Sequence, residues 1–179
     1  MLSTAERTTA SLHSYAFVAR TVVSSRSASR TTVAGRVVVG RGLAYTLTTA
    51  GHRTQVVRAR GATFVRAVPG HWRRLAHPHV VAAPTPTLLA VLRGMTVSHL
   101  AAAAHGATML TGRLAPATAR AAGLPGDHPT TVAVVVDAAG HVRSLTIHTS
   151  AAVSGRLARV AVRTTFLRFN AVPAIRRPA

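Results

Sequence analysis

The chain contains no cysteine, no lysine and only three acidic residues, Glu6, Asp127 and Asp137. Without cysteine there is no disulfide, no thiolate metal ligand, no thiol nucleophile and no thiol to carry a lipid anchor. Without lysine there is no side-chain amine for acid–base chemistry. Aromatic residues are 4% of the chain, so a core has to be built from Val, Leu and Ala, which suits strands better than an aromatic-rich module. No apolar run approaches the roughly 18 residues that a membrane-spanning helix needs. Met1 to Ser14 is polar and lacks an apolar central stretch, so no signal peptide is expected within it.

The 22 basic residues are all arginine. GC-rich coding accounts for arginine replacing lysine, but not for the shortage of acids, because Asp and Glu also have GC-rich codons. The net charge of +19 is therefore read as a property of the protein, one that draws it to nucleic acid, anionic membranes or anionic ligands. At 179 residues and 48% hydrophobic, the chain is long enough and apolar enough to fold, and one domain over residues 1–179 is expected.

Ser3-Thr4-Ala5-Glu6 has capping-box spacing and predicts a short helix from Thr4 to Leu12. From Tyr15 the period becomes two. Strands are predicted over Tyr15–Val23, Thr31–Arg41, Leu43–Thr48, Gln55–Ala59 and Thr63–Ala67, with Gly or Pro turns about every ten residues, the pattern of an antiparallel meander. His77 to Pro86 reads as a loop. Thr85-Pro86 predicts an N-cap and first-turn proline for a short helix to Arg93 that is apolar on nearly every side. Two strands around His105-Gly106 follow, then a helix over Pro116–Ala122. The last strands are Thr131–Asp137, His141–Thr149 and Leu157–Phe169, with Asp137-Ala138-Ala139-Gly140 as a hairpin turn. The class is α+β: one curved antiparallel sheet, a half-barrel of about 9–11 strands, covering a few short helices.

Several landmarks then fall in a recognisable order: Ser14-Tyr15-Ala16-Phe17 after a short helix, Val33 to Val37, Gly61 to Arg66, Gly70-His71-Trp72, the Val132–Asp137/Gly140–Arg143 hairpin, and Phe169-Asn170-Ala171-Val172-Pro173-Ala174-Ile175. In this the chain resembles the actinobacterial LppX/LprG-type lipoproteins, which share the half-barrel fold of the LolA and LolB carriers. The resemblance implies an apolar cavity for acyl chains between sheet and helices, a role in moving or displaying lipids or glycolipids in the cell envelope, and no catalytic residues. The lipidated cysteine of such lipoproteins is absent here.

Candidate chemistry is otherwise sparse. Of ten histidines only His77-Pro78-His79 forms a tight pair, with no carboxylate or third histidine near it, so no metal site is expected. Glu6 reads as a cap and Asp137 as a turn residue. Asp127, beside His128 in a Pro-Gly loop, also reads as a turn. No Gly-x-Ser-x-Gly or phosphate-binding glycine loop occurs. The arginines Arg20, Arg36, Arg53, Arg58, Arg66, Arg143, Arg159 and Arg163 mostly alternate with apolar residues, as on one solvated sheet face.

The expectation is thus a non-enzymatic, cofactor-free, monomeric, extracytoplasmic domain that takes a lipid or glycolipid ligand and meets an anionic membrane surface without specific nucleic-acid binding. Tyr15, Phe17, Val37, Val39, Tyr45, Leu47, Trp72, Leu88, Leu89, Val91 and Leu92 are the expected cavity lining, with the helix of Leu88 flanking the mouth and Trp72 at the rim. The same apolar stripe serves equally as filled core. The alternatives are a basic module for nucleic acid or other polyanions, and a sensor or scaffold domain on the same fold.

Overall fold

The computed structural model describes residues 1–25, 27–76, 83–125, 128–153 and 155–178. The His77-Pro78-His79 pair and Asp127 lie outside the described residues. The chain forms α1 (Leu2–Ala10), β1 (Ser14–Ser24), β2 (Ala28–Val38), β3 (Gly42–Thr49), β4 (His52–Ala59), β5 (Ala62–Val68), β6 (Arg73–Leu75), α2 (Pro84–Gly94), β7 (Met95–Ala102), β8 (Thr108–Leu114), α3 (Pro116–Ala121), β9 (Thr130–Val136), β10 (Val142–Val153) and β11 (Arg156–Leu167). The strands make one sheet in the order β6-β5-β4-β3-β2-β1-β11-β10-β9-β8-β7, two meanders joined where β1 lies beside β11. The fold is α+β with an eleven-stranded antiparallel sheet, as the alternating pattern predicts.

Packing divides the chain into two compact units. The first comprises Met1–Ser11, Thr21–Ser29 and Pro84–Thr165. In it α2 packs against α1 and α3, and one face of β8–β10 is buried. Leu88, Val91 and Leu92 of α2 are buried, as are Ala5 of α1 and Ala119 of α3, together with Leu110, Val132, Val134, Leu145 and Ile147. Each such Val, Leu or Ile side chain contributes roughly 1.5–3 kcal/mol on burial. Thr87 ties α2 to the end of α3 by donating its hydroxyl to the Ala122 carbonyl at 3.1 Å.

Two helix starts differ from the sequence reading. The Ser3–Glu6 capping box does not form: α1 begins two residues earlier, with Met1 at the N-cap and no side-chain cap. Glu6 instead accepts a hydrogen bond from Arg93 Nε at 2.6 Å, joining α1 to α2. In a chain with so few carboxylates, an ion pair competes successfully with a local cap. Helix α2 begins at Pro84. Pro84 and Pro86 both fall in its first turn, where the missing N–H groups have no intrahelical acceptor to lose.

The second unit comprises Leu12–Arg20, Arg30–Ala83 and Phe166–Ala179. Its strands β2 to β5 are joined by tight turns. The two-residue turns Ala50-Gly51 and Arg60-Gly61 have positive φ at both positions (48° and 81°, 50° and 73°). That is the type I′ conformation matching the twist of a hairpin, here with non-glycine residues in the first, left-handed position. The segment after β11 is pinned to the start of β1. Asn170 Oδ1 accepts the N–H of His13 at 2.8 Å and of Ser14 at 3.4 Å, and the Asn170 N–H returns to the Ser14 carbonyl at 2.8 Å.

Candidate functional site

Register decides which side chains share a face in the second unit. Gly35 pairs with Tyr45, Val33 with Leu47 and Val37 with Leu43. Tyr45 pairs with Val56 and Leu43 with Arg58, and Val56 with Val65. Cross-strand partners lie on the same side of a sheet, so Val33, Val37, Leu43, Tyr45, Leu47 and Val56 form one apolar face. Tyr15 and Phe17 of β1 belong to it, with ring centroids 6.3 Å apart. Phe166 closes the cluster edge-on against Tyr15 at 5.8 Å. The Phe17 ring fits because Gly35 lies beneath it: a Cβ at Gly35 would come within 2.9 Å of Phe17 Cε1 and 2.7 Å of the Ala44 carbonyl.

Of the expected lining, Tyr15, Phe17, Val37 and Tyr45 are thus brought together and buried, with Leu47 half-buried on the same face. Leu88, Leu89, Val91 and Leu92 lie together on α2 in the first unit, where all but the half-buried Leu89 are at most 3% exposed. Two residues fall elsewhere. Val39 is 49% exposed. Strand β2 ends at Val38, and the Val39 N–H bonds to the His13 carbonyl at 2.9 Å, so the period-two alternation stops one residue short of it. Trp72 lies on the opposite face. It borders a groove of about 370 Å³ floored by Ala34, Ala44, Thr46 and Val57 and edged by Arg36 and Gln55. The Arg66 guanidinium stands over its ring at 4.8 Å while Arg66 Nε donates to Gln55 Oε1 at 2.6 Å. A cation against the indole face and a shared side of the sheet with Gln55 place Trp72 where periodicity gave no information.

The apolar face ends in an open cleft of about 460 Å³. Val37 and Leu43 border it together with Gly40, Gly42, Gly61 and three arginines, Arg41, Arg58 and Arg60. These arginines and Leu43 were not among the expected site residues, although the two-residue spacing of Val56 and Arg58 on β4 carries the signal. Arg20, Arg36, Arg53 and Arg66 lie on the other, solvated face, as the alternation predicts. Arg58 does not: its pairing with Leu43 puts it on the apolar side. Electrostatically the second unit is one-signed. Thirteen of the 22 arginines and none of the three acidic side chains belong to it.

Among the described residues, no three His, Asp or Glu side chains cluster as a metal ion would require. Asp137 is committed to its turn, accepting the N–H groups of Ala139 at 3.0 Å and His141 at 2.9 Å and the Arg143 Nε at 2.7 Å. Partial burial pushes its carboxyl up, but these hydrogen bonds and the charges of Arg143 and His141 outweigh it and hold the group below the ordinary aspartate range. No helix among the described residues is long and apolar enough to cross a membrane.

No family model and no curated protein matches the chain. Among solved structures it is similar to the lipoprotein LppX of Mycobacterium tuberculosis, at 12% identity and a TM-score of 0.57, over 98% of this chain and 96% of that one. It is less similar to the Pseudomonas aeruginosa MucA/MucB complex (19% identity, TM-score 0.39, 97% of this chain and 57% of that one) and to a LolA superfamily protein of Nitrosomonas europaea (7% identity, TM-score 0.36, 99% and 93%). The chain has the LppX-type fold that the order of its sequence landmarks implies.

Proposed function

We propose that this protein is a non-enzymatic, extracytoplasmic carrier or display domain that binds a lipid, glycolipid or similar amphiphile as a monomer and meets an anionic membrane surface. One observation carries the reading: the apolar face of Tyr15, Phe17, Tyr45 and Val56 continues through Val37 and Leu43 into an open cleft rimmed by arginine. A face that is apolar along its length and cationic at its open end suits a ligand with an acyl part and a polar head. Its apolar part is held by area removed from water, at about 25 cal/mol per Å². The LppX-type fold supports the same reading, because that neighbour is a lipoprotein.

The cavity lining proposed in the second unit is Tyr15, Phe17, Val37, Leu43, Tyr45 and Leu47; Leu88, Leu89, Val91 and Leu92 of α2 are kept as separate lining candidates within the first unit. Organic extraction of the purified protein followed by mass spectrometry tests the function: a stoichiometric co-purifying lipid is expected. Bound lipid should stay in place as salt rises, whereas association with anionic vesicles should fade, because only the latter depends on screened charge. No extractable lipid, together with tight sequence-selective binding of DNA or RNA at physiological salt, would replace this reading with that of a nucleic-acid-binding module.

A further inference from the structure

We infer that the cleft bordered by Arg41, Arg58 and Arg60 is a binding site for a phosphate-class anion, and that the polar end of the ligand is a phosphate monoester rather than a neutral or singly charged group. The inference rests on the carrier reading and names the ligand class for the same face.

Three independent features converge on it. Arg58 is the one arginine of β1–β5 on the apolar face; Arg20, Arg30, Arg36, Arg53 and Arg66 all alternate outward. Arg58 shares its side of the sheet with Leu43 and Val56 and is exposed where that face opens. Arg41, from the turn between β2 and β3, and Arg60, from the turn between β4 and β5, border the same cleft. Arg60 does so from a left-handed backbone conformation, φ 50°, which asparagine or glycine adopts at lower cost.

The third feature is that, among the described residues, no acidic side chain stands against these arginines. Among the described residues the guanidinium groups of Arg41, Arg58 and Arg60 make no hydrogen bond or ion pair, and the second unit has no acidic side chain to offer one. Arg177 adds to the field, reaching the Arg60 carbonyl from the C-terminal segment at 3.4 Å. Three planar guanidinium forks present more donors than one carboxylate, with two oxygens and a single charge, can accept. A phosphate monoester, with three terminal oxygens and up to two charges, matches them.

Isothermal titration calorimetry with three probes tests this: inorganic phosphate, dioctanoyl phosphatidic acid, and neutral dioctanoylglycerol with the same chains. Wild-type protein is expected to bind phosphatidic acid about tenfold or more tighter than the diacylglycerol, since charge-assisted hydrogen bonds are each of that order. The triple variant Arg41→Gln/Arg58→Gln/Arg60→Gln should lose that preference and its phosphate binding while holding diacylglycerol as before. A control of equal charge change on the opposite face, Arg20→Gln/Arg36→Gln/Arg53→Gln, should retain the preference. Arg58→Lys, which keeps the charge but loses the fork, should give a partial loss and guards against misfolding of the triple variant.

Phosphatidic acid binding well above inorganic phosphate identifies a lipid headgroup as the source of the anion; equal affinity identifies free phosphate. Equal losses in the cleft and control variants, or an unchanged preference in the triple variant, would overturn the site. If no diacylglycerol binds but phosphate still binds through these arginines, the anion site stands and the carrier reading falls.

Discussion

The Phe17 ring lies directly over Gly35, so close that a single added carbon at residue 35 would meet the ring at 2.9 Å. The same carbon would lie 2.7 Å from the Ala44 carbonyl oxygen and from Tyr45 Cβ. Backbone on one side and a packed aromatic on the other leave no direction in which to yield. Gly35→Ala is expected to destabilise the protein by about 1–3 kcal/mol. Phe17→Ala, which empties the space above, should cost about 3–5 kcal/mol alone and should make Gly35→Ala milder in combination. Denaturant midpoints of the two single variants and the double variant measure the coupling; additive losses would show that the two residues do not share one packing site.

Asn170 acts at a different place, where the chain leaves the sheet. Its side chain caps the N–H groups of His13 and Ser14, and it does so from a left-handed backbone conformation, φ 55°, that asparagine tolerates better than most residues. Asn170→Ala removes the acceptor and adds strain together, with an expected loss of about 1–2 kcal/mol. Hydrogen exchange at the His13 amide should accelerate while amides of β8 and β9 keep their protection. Uniform acceleration across both meanders would contradict a local role.

Asp137 gives a pH dependence with a defined sign. Its folded-state pKa is depressed, so the folded state favours the ionised form. The stability it contributes is present above the unfolded value, about 3.9 for aspartate, and is lost as pH falls through the lower folded value. Thermal melts should show declining stability below about pH 4. Asp137→Asn should flatten that decline and cost about 1–3 kcal/mol at neutral pH, by weakening hydrogen bonds that two backbone amides and Arg143 direct at a carboxylate. An unchanged acid limb in the variant would move the acid sensitivity elsewhere.

Element type and the antiparallel run of successive strands follow closely from alternation and turn chemistry, because period two is a direct consequence of the pleat and each Gly or Pro turn fixes where it restarts. What stayed hidden depends on contacts between distant residues. Glu6 looks like a cap until Arg93, on another helix, takes its carboxylate. Val39 continues the alternation of Val37 on paper, but β2 ends before it. Trp72 follows a turn and has no periodic neighbours, so only its stack with Arg66 reveals its face. Arg58 is exposed like Arg20, Arg36 and Arg53, and only its pairing with Leu43 shows that it stands on the opposite side of the sheet from them. The buried residues Tyr15, Phe17 and Tyr45 were legible as a stripe; the group of arginines at its end was not, since it is assembled from two turns and one strand.

The two type I′ turns separate stability from ligand binding. Ala50 and Arg60 occupy equivalent first positions, with φ 48° and 50°, each followed by glycine. A non-glycine residue in that conformation costs roughly 1–2 kcal/mol, and asparagine relieves much of it. Ala50→Asn and Arg60→Asn should therefore both stabilise the protein, each by about 0.5–1 kcal/mol, within the spread of measured turn effects. Only Arg60 borders the arginine-rimmed cleft. Arg60→Asn should consequently weaken phosphatidic acid binding several-fold while raising the melting temperature, and Ala50→Asn should raise the melting temperature with binding unchanged. Stabilisation by both with equal binding would mean that Arg60 contributes nothing to the cleft. Stabilisation by Ala50→Asn alone would mean that the Arg60 side chain supports its own turn, making its left-handed conformation a feature of the fold and not a cost carried for the ligand.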